Sequence, residues 1–286
     1  MSKMNRLDTA RRAHVLKCLA EGTSLRATAR ITGVARMTIE KLMRDLGAAC
    51  AAYQDRAFRD LATKRVQCDE IWSFCYAKRR NVTYEMQQEH PDAGDVWTWT
   101  ALDPDSKLII TWHIGGRSNS DAHEFIGDLA ARLRGRIQLS TDGWKSYVGA
   151  VETHFGIEVD YAMVDKIYKT PTASEAAKYS PAECIGCKTT VMMGDPDPKH
   201  TSTSHVERQN LTMRMHMRRF TRLTNAFSKK IEMHASAVAI HFMWYNFVKL
   251  HGALRMTPAM AAGVTAKVWE AEDVIALLDT PAEKSN

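Results

Sequence analysis

The 286-residue sequence has no run of about 18 apolar residues, which excludes a membrane-spanning helix of ordinary length. Its first residues, MSKMNRLDTARR, lack the apolar stretch that a secretory signal needs. Cysteine is scarce, with six scattered residues, so no disulfide framework is indicated and reduced thiols in a cytoplasm are expected. The lack of a long apolar run and of a secretory signal predicts a protein that does not bind a membrane. The apolar fraction of 45% is sufficient for a folded core.

Charge is distributed unevenly along the chain. Residues 1–65 hold 14 Lys and Arg against six Asp and Glu, residues 66–198 hold 13 against 20, and residues 199–286 hold 12 against seven. Basic ends favour a polyanionic partner, of which nucleic acid is the commonest. An acidic middle favours a carboxylate site that binds cations. Ordinary variation of surface charge is the alternative.

Residues 1–47 have the pattern of a helix-turn-helix domain. The apolar spacing predicts three helices, with Ser24 as the N-cap of the second and Gly47 at the end of the third. Gly33 falls in the turn between the last two helices, where a positive φ costs little. Residues 48–65 are predicted to form a helical linker.

One face of the predicted third helix is polar and is suited to double-stranded DNA. We expect this face to enter the major groove with four side chains, Arg36, Thr38, Lys41 and Arg44. A small helical bundle with a solvated charged face is the alternative, because helix-turn-helix patterns also occur in proteins that do not bind DNA.

Residues 66–265 are predicted to form an α/β domain. Five β-prone runs, with a helix after the third and another after the fourth, give the order β-β-β-α-β-α-β. This is the order of a ribonuclease-H-like fold, a mixed sheet with flanking helices. Residues 78–95 are predicted to be a polar loop, 165–203 an irregular insertion, and 266–286 a C-terminal tail with a short surface helix.

This topology brings two acids close together. Asp69 lies inside the first strand and Asp142 ends the fourth, and these strands are neighbours in the predicted sheet. Two carboxylates at one place repel each other unless a cation binds them, and hard divalent ions such as Mg²⁺ or Mn²⁺ prefer oxygen ligands. As alternatives, Asp142 is a turn residue before Gly143, and either Asp69 or Glu70 is merely solvated. Glu70 is an additional candidate metal ligand.

A single carboxylate, Glu207, lies among basic residues, and no other acid follows before Glu232. It falls in the first turn of a predicted helix, where the helix dipole favours negative charge, and this is the structural alternative. Arg214 lies two turns further on nearly the same face, and Arg218 follows four residues later. Because Arg makes bidentate contacts to phosphate, the face is suited to hold a metal ion beside a DNA backbone.

A C-x-x-C pair, Cys184 and Cys187, is weak evidence for zinc. A structural zinc site needs four ligands, and the sequence has no second pair near this one.

Asp69, Asp142 and Glu207 resemble the Asp-Asp-Glu triad of the transposase and retroviral integrase superfamily. The chain is more closely similar to bacterial insertion-element transposases of the "insertion element one" type. The resemblance is carried by CDEIWSF from residue 68, by WTWTALD from 97 leading to GGRS from 115, by TDGWKSY from 141, by ERQNLTMRMHMRRFTRLTNAFSKK from 207, and by YNFVKLHGALRMTPAMAAG from 245.

The resemblance implies a DNA transposase with two metal ions. Asp69 would be shared by both ions, and Asp142 and Glu207 would each hold one. The reactions implied are phosphodiester hydrolysis at the ends of the element and strand transfer into target DNA. Joining two ends implies a homo-oligomer on DNA, and the setting implied is the bacterial nucleoid.

Two other functions stay open at this point. One is a DNA-binding repressor with an inactive nuclease core, and the other is a structure-specific nuclease without strand transfer. Three acids close to phosphates argue against a pure binder, which has no need of them.

Overall fold

The structure, a computed structural model, describes residues 7–169, 184–221 and 225–279. Within these ranges the centre of the fold is a six-stranded mixed sheet of order β3-β2-β1-β4-β5-β6. Strands β1, β4 and β5 are parallel, and the other neighbours are antiparallel. The strands are β1 Arg65–Cys75, β2 Gly94–Leu102, β3 Ile109–Gly115, β4 Ile137–Asp142, β5 Val159–Tyr168 and β6 Cys184–Met193.

Helices flank the sheet on both faces. They are α1 Thr9–Ala20, α2 Leu25–Thr32, α3 Arg36–Ala57, α4 Tyr84–Glu89, α5 Asn119–Ala130, α6 Ser146–Phe155, α7 Ser204–His216, α8 Ile231–Met243, α9 Pro258–Ala261 and α10 Ala271–Ala276. The predicted order β-β-β-α-β-α-β is confirmed for β1 to β5 with α5 and α6. Thus the two strands that carry the predicted acids are paired neighbours.

Side chains of alternating strand residues divide the core between the two faces of the sheet. On one face Trp99 packs against Phe125 of α5 and Tyr147 of α6. On the other face Ile71 belongs to a buried cluster with Val206 of α7 and with residues of α8. Because neighbouring residues of β1 point to opposite faces, one strand supplies side chains to both layers.

The turn between α2 and α3 is the one that the sequence predicts. Ser24 caps α2 by accepting a hydrogen bond from the Ala27 backbone N–H at 3.2 Å. Gly33 ends α2 with a φ of 67°, in the left-handed region that glycine adopts at little cost.

The prediction that Gly47 ends the third helix is wrong, because α3 continues to Ala57. Gly47 instead lies where α3 packs on α8, and a Cβ at this position would come within 2.5 Å of the Ser236 Cα. The glycine is therefore required for close helix packing. The predicted linker is largely the second half of α3, which anchors the N-terminal helices on the sheet domain.

The segment predicted to be an irregular insertion is partly regular. Strand β5 runs on to Tyr168, and Cys184–Met193 forms the antiparallel strand β6 beside it. The ladder satisfies backbone groups that a loop would leave to solvent. Pro171 and Pro181, in the same predicted insertion, lie outside the described residues. The predicted loop after β1 also contains regular structure, a 3₁₀ turn at Arg79–Asn81 followed by α4.

The predicted short surface helix near the C-terminus exists as α10, and its apolar face is buried. Val274 and Ile275 are buried, and α10 packs against α1. A peripheral ion pair joins Lys17 to Glu272 at 3.6 Å. No helix in the described ranges is both long and apolar enough to cross a membrane.

Candidate active site

Three carboxylates meet where β1 and β4 run side by side. Each of Asp69, Glu70 and Asp142 offers one oxygen, and these oxygens lie within 4.8 Å of one another. The parallel register ends with Gln67 opposite Ser140, and Asp69 and Asp142 each lie two residues beyond this last pair. The convergence of Asp69 and Asp142 is therefore a consequence of strand pairing, while Glu70 joins them as a third acid.

Asp69 and Glu70 approach the site from different layers. Asp69 lies on the face covered by α7, where the Asn210 Nδ2 donates a hydrogen bond to its Oδ2 at 2.7 Å. Glu70 pairs in register with Trp99 and lies on the opposite face, and only 1% of its side chain is exposed. The position of Asp142 at the end of β4 allows its carboxylate to approach both.

Burial and mutual repulsion disfavour the charged forms of these acids. Burial, followed by the charge of Asp142, raises the pKa of Asp69 to about 7 and that of Glu70 to about 8. Burial also raises the pKa of Asp142, although the Trp144 backbone N–H, which donates to its Oδ1 at 3.1 Å, and Arg117 oppose the rise. A cation bound among the acids would relieve this repulsion.

Arg117 is the first cation that faces the cluster. Its Nη2 lies 3.2 Å from Glu70 Oε2 and 3.4 Å from Asp142 Oδ2. The guanidinium lies between two indole rings, 4.7 Å from the ring centre of Trp97 and 4.8 Å from that of Trp144. Both aromatic contacts favour a positive charge at this position.

Asp121 builds the turn that carries Arg117. Its carboxylate accepts hydrogen bonds from the backbone N–H groups of Gly116 at 2.9 Å and Ser118 at 3.0 Å. A ring nitrogen of His113 lies 3.0 Å from the same carboxylate. The sequence alone gives Arg117 no role, although it lies in the GGRS motif between the strands that carry Asp69 and Asp142.

Glu207 lies at the rim of the cluster rather than within it. It falls in the first turn of α7, as predicted, and 32% of its side chain is exposed. Its Oε1 accepts a hydrogen bond from Thr203 Oγ1 at 2.7 Å, and its other oxygen forms an ion pair with Lys166 of β5. The charge of Glu207 contributes to the raised pKa values of Asp69 and Asp142, so its carboxylate lies close enough to act on both.

A further acid, Asp165, was missed because it was assigned to the irregular insertion. It lies on β5 beside the turn that follows Asp142, and its charge raises the pKa of Asp142. A Cβ on Gly143 would overlap with the Asp165 carboxylate at 1.6 Å. The glycine after Asp142 is thus needed to admit this fourth acid.

The two arginines predicted on the face of Glu207 differ in position. Arg214 lies partly buried in the last turn of α7. The prediction that Arg218 continues this helical face is wrong, because α7 ends at His216 and Met217 is extended. Arg218 begins a separate 3₁₀ turn and is exposed.

The four predicted DNA-contacting residues of α3 fall into two groups. Arg36, Thr38 and Lys41 are exposed in the first two turns. Arg44 is also exposed but turns to the body of the protein, where its Nε lies 2.6 Å from Glu232 Oε1. The surface nearest the α2–α3 turn is therefore the more accessible one.

Cys184 and Cys187 are exposed on β6. In the described parts of the chain, the acid cluster at Asp69 is the group of three or more His, Cys or acidic side chains with metal-binding spacing, and the cysteine pair belongs to no such group. The structure gives no support to a zinc site here.

Comparison with known proteins gives one family match, to the family described as IS1 transposase, over residues 198–248. Among solved structures, a piggyBac transposase synaptic complex with hairpin DNA is 10% identical, with a TM-score of 0.44 over 97% of this chain and 72% of that chain. A pre-cleavage Mos1 transpososome is 11% identical, with a TM-score of 0.22 over 85% and 80%. No curated protein matches significantly. The family match covers α7 and α8 and supports a transposase-like function.

Proposed function

We propose that this chain is a DNA transposase of the Asp-Asp-Glu type, which cuts the ends of a bacterial insertion element and joins them to target DNA. The observation that carries the proposal is the convergence of Asp69 and Asp142 from neighbouring strands, with Glu207 facing them from α7. The family match supports it, because the matched segment contains Glu207. The meander β1–β3 followed by two parallel strands supports a ribonuclease-H-like domain.

The residues of the site fit divalent metal ions. The donors are carboxylate oxygens, which Mg²⁺ and Mn²⁺ prefer. A further oxygen, Asn210 Oδ1, is buried without a hydrogen-bond partner in the described structure, on the side chain that donates to Asp69. Such atoms are costly unless a ligand or water binds them. We propose that Asp69, Asp142 and Glu207 would hold two divalent ions.

The bound ions would supply activation of the attacking oxygen and stabilisation of the leaving oxygen. The chain itself positions the phosphate. Arg117, fixed between two indole rings, is oriented to donate to a phosphate oxygen in front of Asp142. In hydrolysis, a water oxygen attacks phosphorus and the 3′ oxygen leaves. In strand transfer, that 3′-hydroxyl attacks a phosphate of the target and displaces the target's own 3′ oxygen, so no covalent enzyme intermediate is required.

The N-terminal helices would supply the recognition of DNA. We propose that residues 1–47 act as a helix-turn-helix unit and residues 66–265 as the catalytic unit. Residues 48–65 connect the two, and residues 266–286 form the C-terminal segment. Arg36, Thr38 and Lys41 are the proposed readers of the element ends, and Arg44, Arg214 and Arg218 the proposed backbone contacts. A homo-oligomer that holds two ends would act at the bacterial nucleoid.

The experiment that tests this proposal is a cleavage and joining assay. The DNA is the sequence that flanks the coding region, and the reactions contain Mg²⁺ or EDTA. The variants are Asp142→Asn and, as a matched control, Asp60→Asn, whose carboxylate lies on the surface beside Arg134. We expect Mg²⁺-dependent cleavage and joining in the wild type and the control, and their loss in Asp142→Asn.

Two other outcomes would replace the proposal. Cleavage without joining, when a free 3′-hydroxyl end is supplied, would assign the chain to structure-specific nucleases. Binding of the ends without chemistry in any variant would assign it to DNA-binding repressors.

A further inference from the structure

A cavity of about 400 Å³ lies beside the acid cluster. It is open to solvent and is bordered by the segment between β1 and β2 on one side and by the Arg117 turn on the other. Arg117 belongs to both places, because its guanidinium lines the cavity and also contacts Glu70 and Asp142. The side chains that give the cavity its chemistry are Arg79, Gln87, Asp92, Asp95, Trp97 and Arg117.

The cation opposite Arg117 is held in a defined position. Arg79 donates its backbone N–H to Asp95 Oδ1 at 3.0 Å, and its Nη1 donates to Gln87 Oε1 at 3.2 Å. Gln87 is itself fixed, since its Nε2 donates to the Pro91 carbonyl at 2.6 Å. Two guanidiniums therefore face one cavity from two different walls.

The side chains that line the cavity carry both positive and negative charge, and this restricts the ligands that fit it. Asp92 and Asp95 also line the cavity, so a simple anion would meet repulsion as well as attraction. A nucleotide carries both kinds of partner, a phosphate for the arginines and, on its base, N–H donors for the carboxylates. Trp97 adds an aromatic wall. The volume is within the range of about 300–1,000 Å³ that is usual for small-molecule sites.

We infer that this cavity binds an unpaired nucleotide of the DNA strand, next to the phosphate that is cut. The inference rests on the proposed function, which makes DNA the ligand. It adds that the strand leaves the duplex at the site, and it assigns Arg79 to the phosphate of the extruded nucleotide. Single strands are commonly bound by such pairing of arginines with aromatic surfaces.

The test measures binding in EDTA, so that it does not depend on catalysis. The probes are a fluorescein-labelled blunt duplex from the flanking sequence and the same duplex with a short 5′ or 3′ single-stranded tail. We expect the wild type to bind one tailed duplex roughly tenfold more tightly than the blunt one. Arg79→Ala should weaken binding of that tailed duplex the most and so remove most of this preference.

Arg80→Ala is the matched control, because Arg80 is the next residue, is exposed, and does not line the cavity. It should retain the preference for the tail. The fluorescence of 2-aminopurine in the tail should fall on binding to the wild type and change little with Arg79→Ala. Equal affinities of the wild type for all three probes, or equal losses in Arg79→Ala and Arg80→Ala, would overturn the inference.

The outcomes also separate this inference from the proposed function. A tail preference that depends on Arg79, in a protein that cuts no DNA, supports the cavity assignment and removes the transposase proposal. Mg²⁺-dependent cleavage by a protein without any tail preference supports the transposase proposal and overturns the cavity assignment.

Discussion

The acids of the site fall into two groups that the fold treats differently. Glu70 and Asp142 come from strands and lie against Arg117, which two indole rings hold in place. Glu207 comes from a helix and lies against Lys166. The Glu70 side chain is 1% exposed, whereas that of Glu207 is 32% exposed.

This difference separates a fixed half of the site from an adjustable half. Strand pairing sets the positions of Asp69, Glu70 and Asp142, and moving any of them would disrupt the sheet. The position of Glu207 depends on the packing of α7 and on a side chain with freedom to rotate. Each half also contains its own cation, so positive charge is already present where metal ions are proposed to bind.

The largest effects that distinguish the fixed half from the adjustable half are expected when one glutamate is replaced in each. Glu207→Gln should lower the single-turnover rate of Mg²⁺-dependent cleavage by about a thousandfold, because it removes a proposed metal ligand that faces the DNA. Glu70→Gln should lower it by only about tenfold, because enclosed Glu70 acts mainly by positioning Arg117.

A reversed order of these two effects would make Glu70 the third acid of the triad. Glu207 would then be a charge at the N-terminus of a helix, which is the alternative that the sequence left open. Thermal melting of both variants guards against misfolding, and the buried Glu70→Gln needs this check most.

The sequence predicted the fixed half of the site better than the surroundings of either half. Asp69 and Asp142 follow from strand order, since Asp142 ends the strand that pairs in parallel with the first half of β1, and Asp69 lies in β1 just beyond that pairing. The sequence predicted Glu70 less strongly than Asp69 as a residue of the metal site, because neighbouring strand residues point to opposite faces. Its approach to Asp142 depends on how the strand ends are arranged in three dimensions.

The contacts of Arg117 and Lys166 with the acids could not be predicted from the sequence, for a related reason. Arg117 is oriented by a turn that Asp121 builds, and Lys166 lies on a continuation of β5 that was assigned to an insertion. The same limit applies to the fold. The strands were predictable from local pattern, but the continuation of α3 through Gly47 depends on contact with Ser236, which is distant in sequence.

The fixed half should also control the pH dependence of stability. Asp69 and Glu70 have pKa values of about 7 and 8 in the folded protein, above their ordinary values of 3.8 and 4.5. Between these limits the folded state keeps protons that the unfolded state releases, so stability falls as pH rises. In EDTA, the free energy of unfolding should fall by on the order of 2 kcal/mol between about pH 6.5 and 8.5.

The buried histidines act in the opposite direction, and only in the lower part of this window. Burial lowers the pKa values of His234 and His241 to about 3, so their contribution rises with pH only up to the ordinary value of 6.5. Urea unfolding at the two pH values measures the slope. Asp142→Asn removes a charge that raises both acid pKa values, so its slope should be shallower, and an equal slope would contradict the assignment.

The smallest expected effect distinguishes the two cations. Arg117→Met removes a positive charge beside Glu70 and Asp142, and Lys166→Met removes one beside Glu207. Each variant should bind terbium(III), a hard ion that prefers oxygen ligands, roughly tenfold more tightly than the wild type. Luminescence sensitised by nearby tryptophans gives the affinity from its titration midpoint, without any need for catalysis.

Double variants assign each gain to its own half. The gain from Arg117→Met should vanish in Asp142→Asn but persist in Glu207→Gln, and the gain from Lys166→Met should show the opposite pattern. Arg117→Lys keeps the charge and should stay near the wild-type affinity. Arg117→Met should nevertheless cleave DNA more slowly than the wild type, because the side chain that hinders the metal ion is also the proposed ligand of the phosphate. Tighter metal binding combined with faster cleavage would show instead that Arg117 only balances charge, and it would leave the phosphate to other residues.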